Sequence, residues 1–112
     1  MKAEILSVDS GPEDLDPQVP FTAELVRQLP GQDRPDYWLG QLEHPLTFAR
    51  NGRQHVVRWV ILASRLRGQS IQPSAHRISI GLAYVLDEGQ ITLERVDMSK
   101  CLYVAVVDAT IS

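Results

Sequence analysis

The chain has 112 residues and a mass of 12.6 kDa, which suits a single domain over residues 1–112 with one hydrophobic core. Hydrophobic residues make up 44% and charged residues 22%, and this globular composition excludes disordered and collagen-like classes. The net charge of −3 argues against a protein with a wholly basic, nucleic-acid-coating surface.

The first elements predicted are two strands joined by a loop. Residues 2–8 are short and partly β-branched, as strands are. Residues 10–20 contain three prolines and three acidic residues and predict an acidic, proline-rich loop. Residues 21–29 fit either a helix or a strand. The strand is favoured because the next segment is suited to be its hairpin partner.

The clearest local signal is a β-hairpin in the middle of the chain. Residues 37–42 and 46–50 predict two strands, and Asn51-Gly52 tolerates the positive φ angles of a type I′ turn before a strand over 53–64. Apolar residues occupy both odd-numbered and even-numbered positions of this last strand, so other parts of the protein should cover both of its faces. Its length predicts a bend or bulge within it.

The C-terminal part predicts a loop and three further strands. Residues 67–77 contain Gly68, Pro73 and several polar side chains and form the candidate functional loop. Residues 78–86, 90–96 and 101–111 predict strands, the first two of them joined by a turn.

Eight strand candidates at short spacing predict a mainly β fold. The expected architecture is a single-domain antiparallel sandwich or a partly closed barrel, with one short helix as an optional addition. Strands that are apolar on both faces need a second layer. Three alternatives for this layer are the N-terminal segment, a short helix and another copy of the chain.

Charge is distributed in three blocks along the sequence. Residues 1–43 carry nine acidic and three basic side chains, and residues 87–112 carry five acidic and two basic ones. Between them the basic block has no acid and six arginines: Arg50, Arg53, Arg58, Arg65, Arg67 and Arg77. A guanidinium binds carboxylate or phosphate through two parallel hydrogen bonds. The arginines of this block therefore either pair with acidic residues on neighbouring strands or bind an anionic ligand.

Cysteine usage and the N-terminal residues predict a cytoplasmic protein without a metal site. Cys101 has no partner for an intramolecular disulfide, and it opens an apolar strand, which favours a buried structural thiol. The three histidines, at positions 44, 55 and 76, show no metal-ligand spacing. Residues 1–5 contain no signal-peptide pattern. No cofactor is expected, because no phosphate-binding glycine loop is present.

Four blocks of sequence resemble small bacterial proteins of unassigned function, some of which are products of integron-type mobile gene cassettes. The blocks are Tyr37-Trp38-Leu39 with Leu42–Phe48, Ile61–Arg65 with Gly68-Gln69, Ile80–Asp87, and Ser99–Val106. The resemblance implies a bacterial origin and a compact cytoplasmic fold, and it carries no activity.

Arg58 and the candidate functional loop are the residues singled out for a site. Arg58 interrupts an apolar strand, so its guanidinium must reach solvent, pair with an acid such as Glu43 or Asp87, or line a pocket for an anion. The other candidate ligand-binding residues are Arg65, Arg67, His76 and Arg77, with Tyr37 and Trp38 as stacking groups or, more simply, as core or interface residues.

No residue pattern indicates an activity. The favoured hypothesis is a non-catalytic protein that self-associates as a dimer or higher homo-oligomer or binds a protein partner. The alternative is a module that binds a small anionic ligand or single-stranded nucleic acid through the basic block Arg50 to Arg77. A small hydrolase or isomerase using His76, or the carboxylates Asp36, Glu43 and Asp87, is the third hypothesis.

Overall fold

Six antiparallel strands close into a barrel in the computed structural model, which describes residues 1–11, 13–29, 37–50, 52–65, 69–85 and 101–112. They are β1 (Lys2–Ser10), β2 (Phe21–Gln28), β3 (Trp38–Arg50), β4 (Arg53–Ser64), β5 (Ser74–Val85) and β6 (Cys101–Ile111). Each strand pairs with its neighbours in chain order, and β6 returns to β1. The predicted antiparallel, mainly β fold is confirmed. Of the two alternatives it is the barrel, with complete closure.

The two ends of the chain lie side by side where the barrel closes. The Lys2 amide donates to the Ser112 carbonyl at 2.8 Å, and the Ser112 amide donates to the Lys2 carbonyl at 2.9 Å. These bonds extend the β1–β6 ladder, in which Ala3 pairs with Ile111. Closure leaves neither strand with a free edge, which removes a row of unpaired backbone groups.

The barrel interior combines large and small side chains. Phe48 and Tyr84 are each 1% exposed and meet edge to face, with ring centroids 4.5 Å apart. Other interior positions are alanines or branched aliphatics that face inward at every second residue, such as Ala105, Val107 and Ala109 on β6. A narrow barrel needs small residues opposite its aromatic rings, and this alternation supplies them.

The predicted irregularity of β4 is present. The β3–β4 register shifts between Gln41 and Leu46. Along β4, the inward-facing residues Val57 and Val60 are three positions apart, so the alternation of inward and outward side chains is interrupted between them. The expectation that both faces of this strand are covered holds only for its second half, residues 60–63. In the first half Val56 is 54% exposed, because its outward side meets solvent.

A second apolar cluster lies on the outer side of the barrel wall and is called the outer cluster. It consists of Leu29, Leu39, Ile61 and Val85, with Tyr37, Trp59, Ala83 and Cys101 packed against it. Its four central residues are at most 3% exposed within a single chain. The second apolar face of these strands is therefore buried without a second copy of the protein.

Three predicted boundaries were wrong. The predicted loop at 10–20 contains a 3-10 helix (Glu13–Gln18), which begins with acids and buries Leu15. The two strands predicted at 37–42 and 46–50 form one strand with a local register shift. Strand β5 begins at Ser74 rather than at residue 78, because its first residues continue the ladder with β6. The strand predicted at 90–96 lies outside the described residues.

The predicted hairpin is confirmed by the pairing of Arg50 with Arg53 around a two-residue loop. Gly52 has a φ of 75°, a left-handed conformation that glycine adopts without strain. The strand reading of residues 21–29 over the helix is also confirmed.

The 3-10 helix is fastened to β3 by side chains that act as backbone partners. The Gln18 amide accepts from the Thr47 N–H at 3.0 Å and donates to the Thr47 carbonyl at 2.6 Å, and the Asp14 carboxylate accepts from the Ala49 N–H at 2.8 Å. Gln18 thus pairs with both backbone groups of one strand residue, as a neighbouring strand would.

Replacing Gln18 with alanine is expected to lower the free energy of unfolding by about 1–2 kcal/mol, because two hydrogen bonds to the strand are lost together. Chemical denaturation measures the change. The exposed Gln54 on β4 is the matched control, and its replacement by alanine should have little effect. Equal losses for the two variants would contradict the role assigned to Gln18.

Candidate functional site

A cleft of about 560 Å³ with a mixed polar and apolar lining lies at the end of the barrel where β4 ends and β5 begins. The described residues that line it are Ser64, Arg65, Gln69, Ser70, Ile71, Gln72, Pro73, Ser74, Ile78 and Ser79. Its volume falls within the range of roughly 300–1,000 Å³ that is typical of small-molecule sites.

The cleft is built on the barrel core. Ile71 is 3% exposed and belongs to the interior cluster, so it anchors the segment that forms one wall of the cleft. On the opposite wall the Arg65 amide donates to the Ser79 carbonyl at 3.4 Å, which continues the β4–β5 pairing by one residue. Arg65 and Ser79 are therefore neighbours across two adjacent strands.

Ser79 is held by a carboxylate on the next strand. Its hydroxyl donates to Asp108 Oδ1 at 2.8 Å, in a pair of half-buried residues that are directly opposite each other on β5 and β6. Because the hydroxyl proton is engaged by Asp108, the Ser79 oxygen keeps lone pairs that can accept a hydrogen bond.

The described residues of the lining include hydrogen-bonding side chains and one arginine. Four serines, two glutamines and Arg65 line the cleft together with Ile71, Pro73 and Ile78. Among the described lining residues there is no histidine, cysteine or carboxylate. This set of groups can bind and orient an anion that carries hydroxyl groups, and it contains no acid–base pair.

The structure brings only part of the predicted loop site together. Arg65 lines the cleft, whereas His76 and Arg77 lie exposed on β5. The His76 amide donates to the Ser74 hydroxyl at 3.1 Å, which shapes the start of that strand. Arg67 lies outside the described residues. Because β5 begins at Ser74, the candidate functional loop 67–77 is shorter than predicted, and its last residues belong to the sheet.

The basic block does not form one surface along β4. Arg53 is the first residue of this 12-residue strand, Arg58 lies exposed within it and Arg65 follows its end. At roughly 3.3 Å per residue, the strand is comparable in length with the longest dimension of the molecule, 35 Å. Arg53, Arg58 and Arg65 are therefore spread along the strand and do not form one compact group.

Arg58 is solvent-exposed, so it does not form a buried ion pair. Its position falls in the half of β4 whose outer side meets solvent, which accounts for a charged residue in an apolar sequence. Glu43, one of the proposed partners, forms an ion pair with Lys2 Nζ at 3.4 Å. Asp87, the other, lies outside the described residues.

Tyr37 and Trp38 occupy packing positions. Tyr37 packs against the outer cluster, and Trp38 packs against the interior cluster, where its indole Nε1 is buried. Both residues are half-buried, and neither lines the cleft. Their placement matches the simpler interpretation of these aromatics as packing residues.

The remaining chemistry-bearing residues are dispersed. His44 and His76 are exposed, and His55 stacks beside Phe48 with ring centroids 5.6 Å apart. Cys101 is half-buried against the outer cluster. Across the described ranges, no three His, Cys, Asp or Glu side chains are grouped so that they could hold a metal ion. In the same part of the chain, no helix is long and apolar enough to cross a membrane.

Sequence reasoning missed the serines and glutamines of the cleft, because isolated Ser and Gln residues in a loop carry no motif. Pairing of Ser79 with Asp108 depends on the β5–β6 register, which no local pattern encodes. The one available signal was the polar composition of residues 69–74 beside Arg65. No protein-family model matches the chain, and neither a curated protein nor a solved structure is detectably similar to it.

Proposed function

We propose that the protein is a non-catalytic module that binds a small anionic ligand in the cleft between β4 and β5. The observation that carries this proposal is the position of Arg65 in a cleft of ligand size that is also lined by serines and glutamines. The guanidinium offers paired donors for a carboxylate or phosphate, and the surrounding hydroxyls and amides suit a ligand with further polar groups.

A small ligand is favoured over single-stranded nucleic acid for two reasons. First, the exposed arginines of β4 are spread along the strand, so they do not form the compact basic groove that follows a nucleic-acid backbone. Second, Tyr37 and Trp38 pack against the two apolar clusters, and their rings are engaged there. Binding of single-stranded RNA or DNA is retained as an arm of the test.

The test is calorimetric titration of the protein with inorganic phosphate, citrate and adenosine 5′-monophosphate, and fluorescence polarisation with labelled single-stranded RNA and DNA. We expect one of the small anions to bind and Arg65→Ala to weaken it by about 10- to 100-fold, the loss expected for a charged hydrogen-bonding group.

The matched control is Arg53→Ala, which removes the same charge from the opposite end of β4. It should change the affinity less than about twofold, since distant exposed charges are screened by salt. Equal losses for the two variants, together with affinity that falls steeply between low and high salt, would indicate nonspecific attraction and contradict a site at Arg65.

Self-association stays a prediction, as do the bacterial origin and the gene-cassette resemblance. The apolar strand faces that suggested a subunit interface belong to the outer cluster, which is buried within one chain. Among the described residues, the large hydrophobic side chains that are exposed are Val26 and Val56, on different strands. Ligand binding is therefore better supported than a subunit interface.

A further inference from the structure

A hydrogen bond fixes the hydroxyl proton of Ser79, one of the residues that line the cleft between β4 and β5. The hydroxyl donates to Asp108 Oδ1 at 2.8 Å, and an ionised carboxylate can only accept. A free serine hydroxyl serves as donor or as acceptor, because its proton rotates to suit the partner. With its proton committed to Asp108, the Ser79 oxygen can only accept a hydrogen bond from a ligand.

Strand register places this pair on the outer side of the barrel. Ser79 lies between Ile78 and Ile80, and both isoleucines pack in the interior cluster, so the Ser79 side chain points the other way. Asp108 is the cross-strand partner of Ser79 on β6 and also lies between two interior residues. The hydrogen bond therefore joins two outward side chains that face each other across β5 and β6.

Arg65 is the neighbour of Ser79 on the other side, on the chain that continues β4. The Arg65 amide donates to the Ser79 carbonyl at 3.4 Å, and both residues line the cleft. Residues that are directly opposite each other on antiparallel strands have Cβ atoms about 4.5–5.5 Å apart. The donors of the Arg65 guanidinium and the acceptor oxygen of Ser79 are therefore within reach of one small molecule.

The cleft also offers apolar surface to such a molecule. Ile71, Pro73 and Ile78 belong to its lining. Ile71 is a member of the interior cluster and Ile78 packs against it, so these two side chains are held in place by the barrel core. A short hydrocarbon body would be removed from water against them, which favours binding.

We propose that the cleft selects an α-hydroxy monocarboxylate with a small apolar body, an inference that rests on the function proposed for Arg65. The guanidinium binds the carboxylate through two hydrogen bonds, and the hydroxyl on the adjacent carbon donates to the Ser79 oxygen. An α-oxo acid brings a carbonyl oxygen to an oxygen that has no proton to give, so it is disfavoured. Ser79 and Asp108 thereby set which acid the cleft accepts.

Calorimetric titration with three acids of one carbon skeleton tests this selection. The acids are α-hydroxyisovalerate, isovalerate and α-ketoisovalerate, which all carry one carboxylate and differ at the adjacent carbon. The hydroxy acid should bind the wild type at least about fivefold more tightly than isovalerate, the gain expected for one hydrogen bond. The keto acid should bind no more tightly than isovalerate.

Two substitutions assign the selection to named residues. Ser79→Ala removes the acceptor, so α-hydroxyisovalerate should bind only as tightly as isovalerate, whose own affinity should change less than about twofold. Asp108→Asn lets an amide N–H donate to the Ser79 oxygen and frees the hydroxyl proton for a ligand. The keto acid should then bind at least about fivefold more tightly than it does to the wild type.

Ser10→Ala and Asp9→Asn are the matched controls, because they make the same changes at exposed positions of β1 outside the cleft. Neither should change the affinity for any of the three acids. The comparison of the three acids on the wild type requires no substitution, so it tests the selection even if a variant fails to fold.

Three results would overturn the proposal. Equal affinities for the three acids, all weakened by Arg65→Ala, would leave the anion site and remove its selectivity. A preference for the hydroxy acid that survives Ser79→Ala would place the hydroxyl elsewhere. Binding of none of the three acids would also remove the proposed ligand class, and if phosphate, citrate and adenosine 5′-monophosphate fail to bind as well, the proposed function fails with it.

Discussion

Phe48→Ala is expected to lower the free energy of unfolding by about 3–5 kcal/mol, the cost of removing a buried aromatic ring from a filled core. Phe48 is 1% exposed and contacts the rings of Tyr84 and His55. Phe48 lies on β3, His55 on β4 and Tyr84 on β5, so one substitution weakens packing across three strands. A loss of this size is a large part of the total stability of about 5–15 kcal/mol for a small domain.

Urea denaturation of the variant measures this loss, with Tyr84→Phe as the contrast. Tyr84 is equally buried, but its hydroxyl has no hydrogen-bond partner among the described residues, so removing the oxygen should leave stability unchanged or slightly higher. A loss for Tyr84→Phe comparable with that of Phe48→Ala would mean that the hydroxyl is satisfied, and would contradict this account of the interior.

Gly40→Leu is expected to lower the free energy of unfolding by about 1–3 kcal/mol or more, because it overfills the same interior. Gly40 lies on β3, and a Cβ atom there would come within 3.1 Å of Val60 Cγ2 and 3.2 Å of Ala23 Cβ. Both neighbours are 0% exposed and lie on adjacent strands, so neither can move aside without shifting the barrel wall.

A size series tests this prediction by thermal unfolding. Gly40→Ala should have a much smaller effect than Gly40→Leu, since one methyl group requires a displacement of only a few tenths of an ångström. Gly52, with nothing within 4 Å of its Cβ position, is the contrast site: its φ of 75° strains any substitution, so Gly52→Ala and Gly52→Leu should differ little from each other. If Gly40→Leu were as stable as the wild type, the interior near Val60 would have to be less filled than the structure indicates.

The local sequence pattern was sufficient to predict most strands, because the residues that favour a strand lie close together in the chain. The apolar run within β6, the β-branched start of the chain and the Asn51-Gly52 turn all act within a few residues. The sequence also predicted an irregularity within β4 from its length. The 3-10 helix was missed, because prolines and acids favour a loop equally well and the fastening of Gln18 to Thr47 is a contact between distant residues.

The candidate site was predictable only in part. Arg65 was singled out from the basic block, but the block suggested one surface, and the length of β4 separates Arg53, Arg58 and Arg65. Ser79 and Asp108 are 29 residues apart and meet through the β5–β6 register.

The sequence by itself therefore determined the class of structure: an antiparallel β domain with strands apolar on one or both faces. The tertiary structure decided that the strands close into a barrel. It also decided which side chains point into the barrel and which polar groups contact each other. The physical reason is that strand formation follows from side chains two residues apart, whereas register and closure follow from the packing of the whole core. The candidate site depends on register, so it could not be predicted from residue spacing alone.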